Sequence, residues 1–120
     1  LLVLYPASKY TNKILETQTN VMHACEAETS MMMALEPDLV VDNLLNEAKG
    51  PMKLDFLSAG KGSYRWRSLT HVTSNGVIGD PSQSSSAKGE QLLREASQAI
   101  FELICNPETF KVQSDLRLPD

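Results

Sequence analysis

One imidazole, one thiol and two carboxylates fall within six residues, His23-Ala24-Cys25-Glu26-Ala27-Glu28, followed by Thr29-Ser30 and the apolar run Met31-Met32-Met33-Ala34-Leu35. A carboxylate can ligate Zn²⁺ or Mn²⁺, and a neighbouring histidine can take a proton from metal-bound water or hand one to a leaving nitrogen. On that reading the segment is the polar lip of a metal-hydrolase site, with Glu26 and Glu28 as ligands and His23 as the proton carrier. On a regular helix Glu26, at i+3, shares a face with His23, and Glu28, at i+5, lies further round. If His23 precedes the helix in extended backbone, either carboxylate can turn inward. The alternative is structural: acidic residues in a first helical turn complement the helix dipole, and His23 caps or packs. Cys25 has no second His or Asn near it in sequence to make a nucleophile, and reads as a small buried apolar residue. The other histidine, His71, stands alone in a candidate strand and reads as structural.

The elements that must hold these groups are few. Ala24 to Glu36 reads as a helix, ended by Pro37. Met31, Met32, Met33, Ala34 and Leu35 make it apolar nearly all round, so burial on several sides is expected. Leu1 to Leu4, Leu39 to Val41, Leu54 to Leu57 and Tyr64 to Val72 are strand candidates. Because the chain opens inside an apolar run, a strand is expected to begin upstream of Leu1. Asn43 to Lys49 reads as a turn or two of exposed helix. Thr73 to Pro81 holds Asn75-Gly76 and Asp80-Pro81, a compact loop whose glycines permit positive φ. Ser82 to Ser86 reads as helix capping, and Ser85 to Cys105 as an amphipathic helix with Leu92, Ala96, Ala99, Ile100, Leu103 and Ile104 on one stripe. Asn106-Pro107 ends it. Helices alternating with short extended pieces suggest an α/β layered domain.

Composition narrows the classes. A chain of 120 residues makes one small domain. Its net charge of −4 comes with no long basic run, which argues against nucleic acid or an anionic membrane as partner. Arg65-Trp66-Arg67 is too short for such a footprint and reads as a solvated loop. Gly60-Lys61-Gly62-Ser63 lacks the further glycine and Lys-Ser/Thr pair of a phosphate-cradling loop. Cys25 and Cys105 have no metal-finger spacing and read as free thiols of a reducing compartment, or as one disulfide. No apolar run spans a bilayer, so a cytoplasmic protein is expected.

Two blocks carry a family resemblance. His23-Ala24-Cys25-Glu26-Ala27-Glu28-Thr29-Ser30, with Met32, Leu35, Pro37, Asp38, Leu39 and Val40 after it, resembles the His-Ala-Gly-Glu-x-Glu-Thr-Ser segment of the creatininase (creatinine amidohydrolase) family. Ser74-Asn75-Gly76-Val77-Ile78-Gly79-Asp80-Pro81, continuing through Ser86-Ala87-Lys88-Gly89-Glu90, resembles that family's Gly-Val-x-Gly-Asp-Pro loop and the helix start after it. The resemblance implies a three-layer α/β/α domain, assembled as a homo-oligomer, usually a hexamer. It implies a dinuclear centre of Zn, Mn or Fe and hydrolysis of a non-peptide, often cyclic, amide C–N bond in a small-molecule substrate. It makes Glu28 a metal ligand or close acid and His23 a proton shuttle, with the loop at Asn75 and Gly76 shaping the substrate site. Cys25 stands where glycine is common. The Glu-x-His pair, the Asp and the Asn-Gly-His loop that supply the family's remaining ligands do not occur here. The expected domain is therefore the C-terminal half of the creatininase fold. Two functions follow: a metal-dependent amidohydrolase, or a non-catalytic assembly or interaction subunit, or inactive fragment, that keeps the second half of the fold.

Overall fold

The computed structural model describes residues 13–52, 58–60, 63–64 and 68–111. Two α-helices dominate them: α1, Glu26–Leu35, and α2, Ser86–Cys105. Short 3₁₀ turns occupy Pro37–Leu39, Asp42–Leu44, Leu69–His71 and Pro107–Phe110.

Helix α2 begins where the serine run places it. The Ser85 side chain accepts from the Lys88 N–H at 3.3 Å, satisfying one of the unpaired first-turn donors. It ends at Asn106, whose side chain accepts from the Glu108 N–H at 3.0 Å as the chain turns through Pro107. Helix α1 lacks a side-chain cap at Cys25. Instead Glu28, in its first turn, reaches back to accept the Ala24 N–H at 2.6 Å, a variation on the capping box.

The two helices cross on small residues. Gly89 of α2 lies so close to the Ser30 carbonyl that a Cβ there would overlap it, and would stand 3.0 Å from Ala34 Cβ. Ser30 Oγ accepts the Ser85 N–H at 3.2 Å, and Ser84 Oγ donates to the Glu26 carbonyl at 3.2 Å. This close approach decides which face of α1 is covered. Glu26, Ala27 and Ser30 are buried, while Met32 and Leu35 remain exposed. The expectation of a helix buried on several apolar sides is corrected accordingly: the covered side is small and polar. A core of Cys25, Ala27 and Leu92 sits at the crossing, with Ile14, Leu15, Val21, Met22 and Met31 packed around it. Val77 and Ile78 are also buried.

The expected three-layer α/β/α architecture is not what the described residues form. Their strand content is one antiparallel ribbon, β1, Ser58–Gly60, against β2, Ser63–Tyr64, with Ser58 opposite Tyr64. No layered sheet occurs among them; the packing that organises them is helix on helix. Leu39 to Val41, an expected strand, instead lies between Pro37 and Asp42, each of which starts a 3₁₀ turn. Leu69–His71 turns likewise, so His71 is not on a strand. A β-rich run becomes a strand only where a neighbouring strand accepts its backbone bonds, and here local i→i+3 bonds such as Val40 N–H to Pro37 O take them. The strand candidates Leu1 to Leu4 and Leu54 to Leu57 lie outside the described residues.

Candidate functional site

The two sequence blocks do meet. The Ile78 N–H donates to the His23 carbonyl at 2.8 Å, tying the 73–81 loop to the backbone just before α1. Gly79, at φ 115°, comes so close to Cys25 that a Cβ on it would stand 2.9 Å from the Cys25 Cβ. Gly79 also bonds the neighbouring chain: its N–H donates to the Pro51 carbonyl, and its carbonyl accepts from the Gly50 N–H. The left-handed residue in the first block is Ala24, with φ 48°, whereas Cys25 has φ −86°. The position where glycine is common therefore does not need glycine here; the turn's strain sits one residue earlier.

His23 and Glu28 are neighbours. His23 Nδ1 lies 3.8 Å from Glu28 Oε2, within ion-pair range and beyond a hydrogen bond, with both side chains about half exposed. Glu28 also lines an open, mostly apolar groove of about 350 Å³ with Ala24, Met32, Val41, Val77 and others. Asn75 and Gly76 are held elsewhere. Asn75 Oδ1 accepts from the Val77 N–H at 3.1 Å and from the Thr73 hydroxyl, and its Nδ2 donates to the Lys49 carbonyl. Gly76 lines a second, smaller depression with Leu69, Thr70, Thr73 and Ser74. The structure thus brings His23 and Glu28 together, while Asn75 and Gly76 are not among the residues that line the groove with Glu28.

Glu26 has the most elaborate surroundings. Its side chain is fully buried. The carboxylate accepts from the Glu16 and Thr17 N–H groups at 3.0 and 2.8 Å and from the Thr17 hydroxyl at 2.7 Å, and it pairs with Lys88. Burial pushes this carboxyl up, but the bonds from Lys88, Thr17 and the Glu16 N–H outweigh it and hold it below the ordinary carboxylate range. Lys88 also reaches Glu16 at 2.8 Å and the Gln83 carbonyl at 2.7 Å. Burial alone would lower the Lys88 ammonium, and its bonds to Glu16 and Glu26 raise it instead. Beside this cluster, Asp80 holds Lys49 at 2.9 Å and the Ser82 N–H at 2.9 Å. Burial raises the Asp80 carboxyl, and Ser82 and Lys49 lower it further than that.

Lys88 escaped the sequence reading as a partner of Glu26, although a signal was present. A lysine in the first turn of a helix opposes the helix dipole, so its placement there calls for carboxylates from elsewhere to offset it. Cys25 is buried, Cys105 is exposed, and both are free thiols.

The family model described as creatininase, creatinine amidohydrolase, matches residues 3–104, and the chain belongs to that family. No curated protein and no solved structure matches it. The metal-dependent amidohydrolase expected from the resemblance is nevertheless corrected by the site. Catalytic zinc takes about three protein ligands per ion, so a dinuclear centre of Zn, Mn or Fe needs a dense donor set. No group of three or more His, Cys, Asp or Glu able to hold a metal occurs among the described residues. Of the carboxylates in the motif, Glu26 is taken up by Glu16, Thr17 and Lys88 and Glu28 accepts the Ala24 N–H, and the layered sheet that would array further donors is lacking among those residues. The described residues do not fit a dinuclear centre. No helix among them is long and apolar enough to cross a membrane.

Proposed function

We propose that this chain is a non-catalytic assembly or interaction segment of the creatininase family, corresponding to the second part of the family domain. The observation that carries this reading is the state of Glu26. It is the most deeply placed carboxylate of the His23–Ser30 block, and it anchors Glu16, Thr17 and Lys88 instead of facing an open coordination position. What remains of the motif is His23 with Glu28, and Glu28 is itself bonded to the Ala24 N–H. One imidazole and one carboxylate make at most a weak, bidentate cation site. In this reading Glu28 lines the apolar groove with His23 beside it, Asn75 and Gly76 fix the loop that leads into Val77 at the groove, and the block as a whole serves packing.

Metal analysis of the purified chain, with an assay for cyclic-amide hydrolysis on the same sample, tests this. The reading predicts substoichiometric metal and no turnover. A pair of tightly held ions per chain with hydrolysis would overturn it.

A further inference from the structure

The groove beside α1 is mostly apolar, and further exposed apolar residues stand along the same stretch of chain among the described residues. Met32, Leu39, Val40, Val41, Leu45 and Val77 are among the residues that line it. Leu35, Leu39, Val41 and Leu44 expose between 48% and 70% of their surface, far more than a scattered aliphatic on a small domain requires. The charge around this surface is one-sided. Residues 24–48 contain six carboxylates and no Lys or Arg, although the whole chain has a net charge of only −4. Of the six, Glu26 is paired with Lys88 and Glu28 lies beside His23. Glu36, Asp38, Asp42 and Glu47 are exposed and make no ion pair among the described residues. The nearest cation along the chain, Lys49, is held by Asp80.

We infer that this groove docks a basic amphipathic helix of another polypeptide, deepening the interaction role proposed above, on which it rests. Apolar side chains at i, i+3 or i+4 and i+7 of the partner enter the groove between α1 and the 3₁₀ turns at Pro37–Leu39 and Asp42–Leu44. Lys or Arg residues flanking them meet Glu36, Asp38, Asp42 and Glu47. Met32 suits such a site, because an unbranched thioether adapts to differently shaped anchors. The same carboxylates repel polyanions, so nucleic acid and anionic lipid are excluded as occupants of this face.

The test uses a fluorescent amphipathic peptide of about 14 residues built from Leu and Lys, with a Leu/Glu peptide of the same apolar pattern as its control. Anisotropy titrations are run on the full chain at about 50 and about 500 mM salt. The Leu/Lys peptide should bind at least about tenfold more tightly than the control and weaken in high salt. Leu39→Ser with Val41→Ser should abolish binding, and Asp38→Lys with Asp42→Lys and Glu47→Lys should reverse the preference between peptides. All these side chains are exposed, and circular dichroism checks that the fold persists. Equal binding of the two peptides, no binding of either, or Leu/Lys binding unchanged in the Ser variant would overturn the inference. So would self-association of the chain that the Ser variant abolishes, since a second copy would then fill the groove. Metal content measured on the same sample separates the failures: a metal-free chain that ignores the peptide rejects the partner alone, and a metal-loaded one rejects the non-catalytic reading as well.

Discussion

Lys88, in the first turn of helix α2, closes on the fully buried carboxylate of Glu26 at the start of helix α1, across 62 positions of sequence. The contact joins the acidic block and the capped helix into one structural unit. It also carries a third element, because Glu26 holds the Glu16 and Thr17 N–H groups and the Thr17 hydroxyl also lies 2.8 Å from the Asp80 carbonyl.

Removing one partner of that pair leaves a charge buried without compensation. Lys88→Met should destabilise the chain by about 3–5 kcal/mol, and adding Glu26→Leu to it should recover a substantial part of the loss. Denaturant unfolding of the single and double variants measures both. Additive losses would show that the two side chains do not depend on each other.

The same pair sets a pH window. Glu26 titrates below its ordinary 4.5, so its contribution is complete above that value and is lost as pH falls through the lower folded-state value. Lys88 titrates above its ordinary 10.5, so its contribution is complete below that value and is lost as pH rises through the higher folded-state value. Unfolding midpoints should therefore form a plateau between the two limits, with both limbs shallower in the Lys88→Met, Glu26→Leu double variant.

Two glycines should respond in different degrees to the same substitution. Gly89→Ala would gain about 1 kcal/mol in helix propensity, yet its Cβ overlaps the Ser30 carbonyl, so a net loss of at least about 2 kcal/mol is expected. Gly76, at φ 84°, has open space around its Cβ position, and Gly76→Ala should cost only the left-handed backbone term of about 1–2 kcal/mol. Thermal unfolding of the two variants checks the order: Gly89→Ala should be the more damaged.

Ala24 holds φ 48° without being glycine. Ala24→Gly relieves about 1–2 kcal/mol of backbone strain against about 0.5–1 kcal/mol of added unfolded-state entropy, so a gain of up to about 1 kcal/mol is expected. The change removes only a methyl, and an unfolding midpoint at or below that of the unsubstituted chain would show that the turn is not strained there.

These effects mark where the sequence is transparent. Helix α2 is legible because its signals are local: Ser85 caps it, the apolar stripe repeats on a helical period, and Asn106-Pro107 stops it. The limits of α1 are legible to within two residues for the same reason. Which side of α1 is buried is not, because that is decided by Gly89, far along the chain, approaching Ser30. Periodicity weighs Met32 and Leu35 as core residues, while the residues that the crossing buries are Glu26, Ala27 and Ser30. The strand candidates failed where Pro37, Asp42 and Ser68 open turns that take up the backbone bonds locally. At the site, the nearness of His23 and Glu28 follows from short spacing. The engagement of Glu26 depends on Thr17 and Lys88, and only Lys88, placed against the helix dipole, signalled a missing partner.

Glu26 is an anchor of the fold. Zinc titration of the unsubstituted chain and of Glu26→Gln, with denaturant unfolding of both, tests it most directly. Zn²⁺ binding should be weak and the same in the two proteins, with an unfolding midpoint clearly lowered in Glu26→Gln. Tight Zn²⁺ binding that disappears in Glu26→Gln, with stability unchanged, would contradict it.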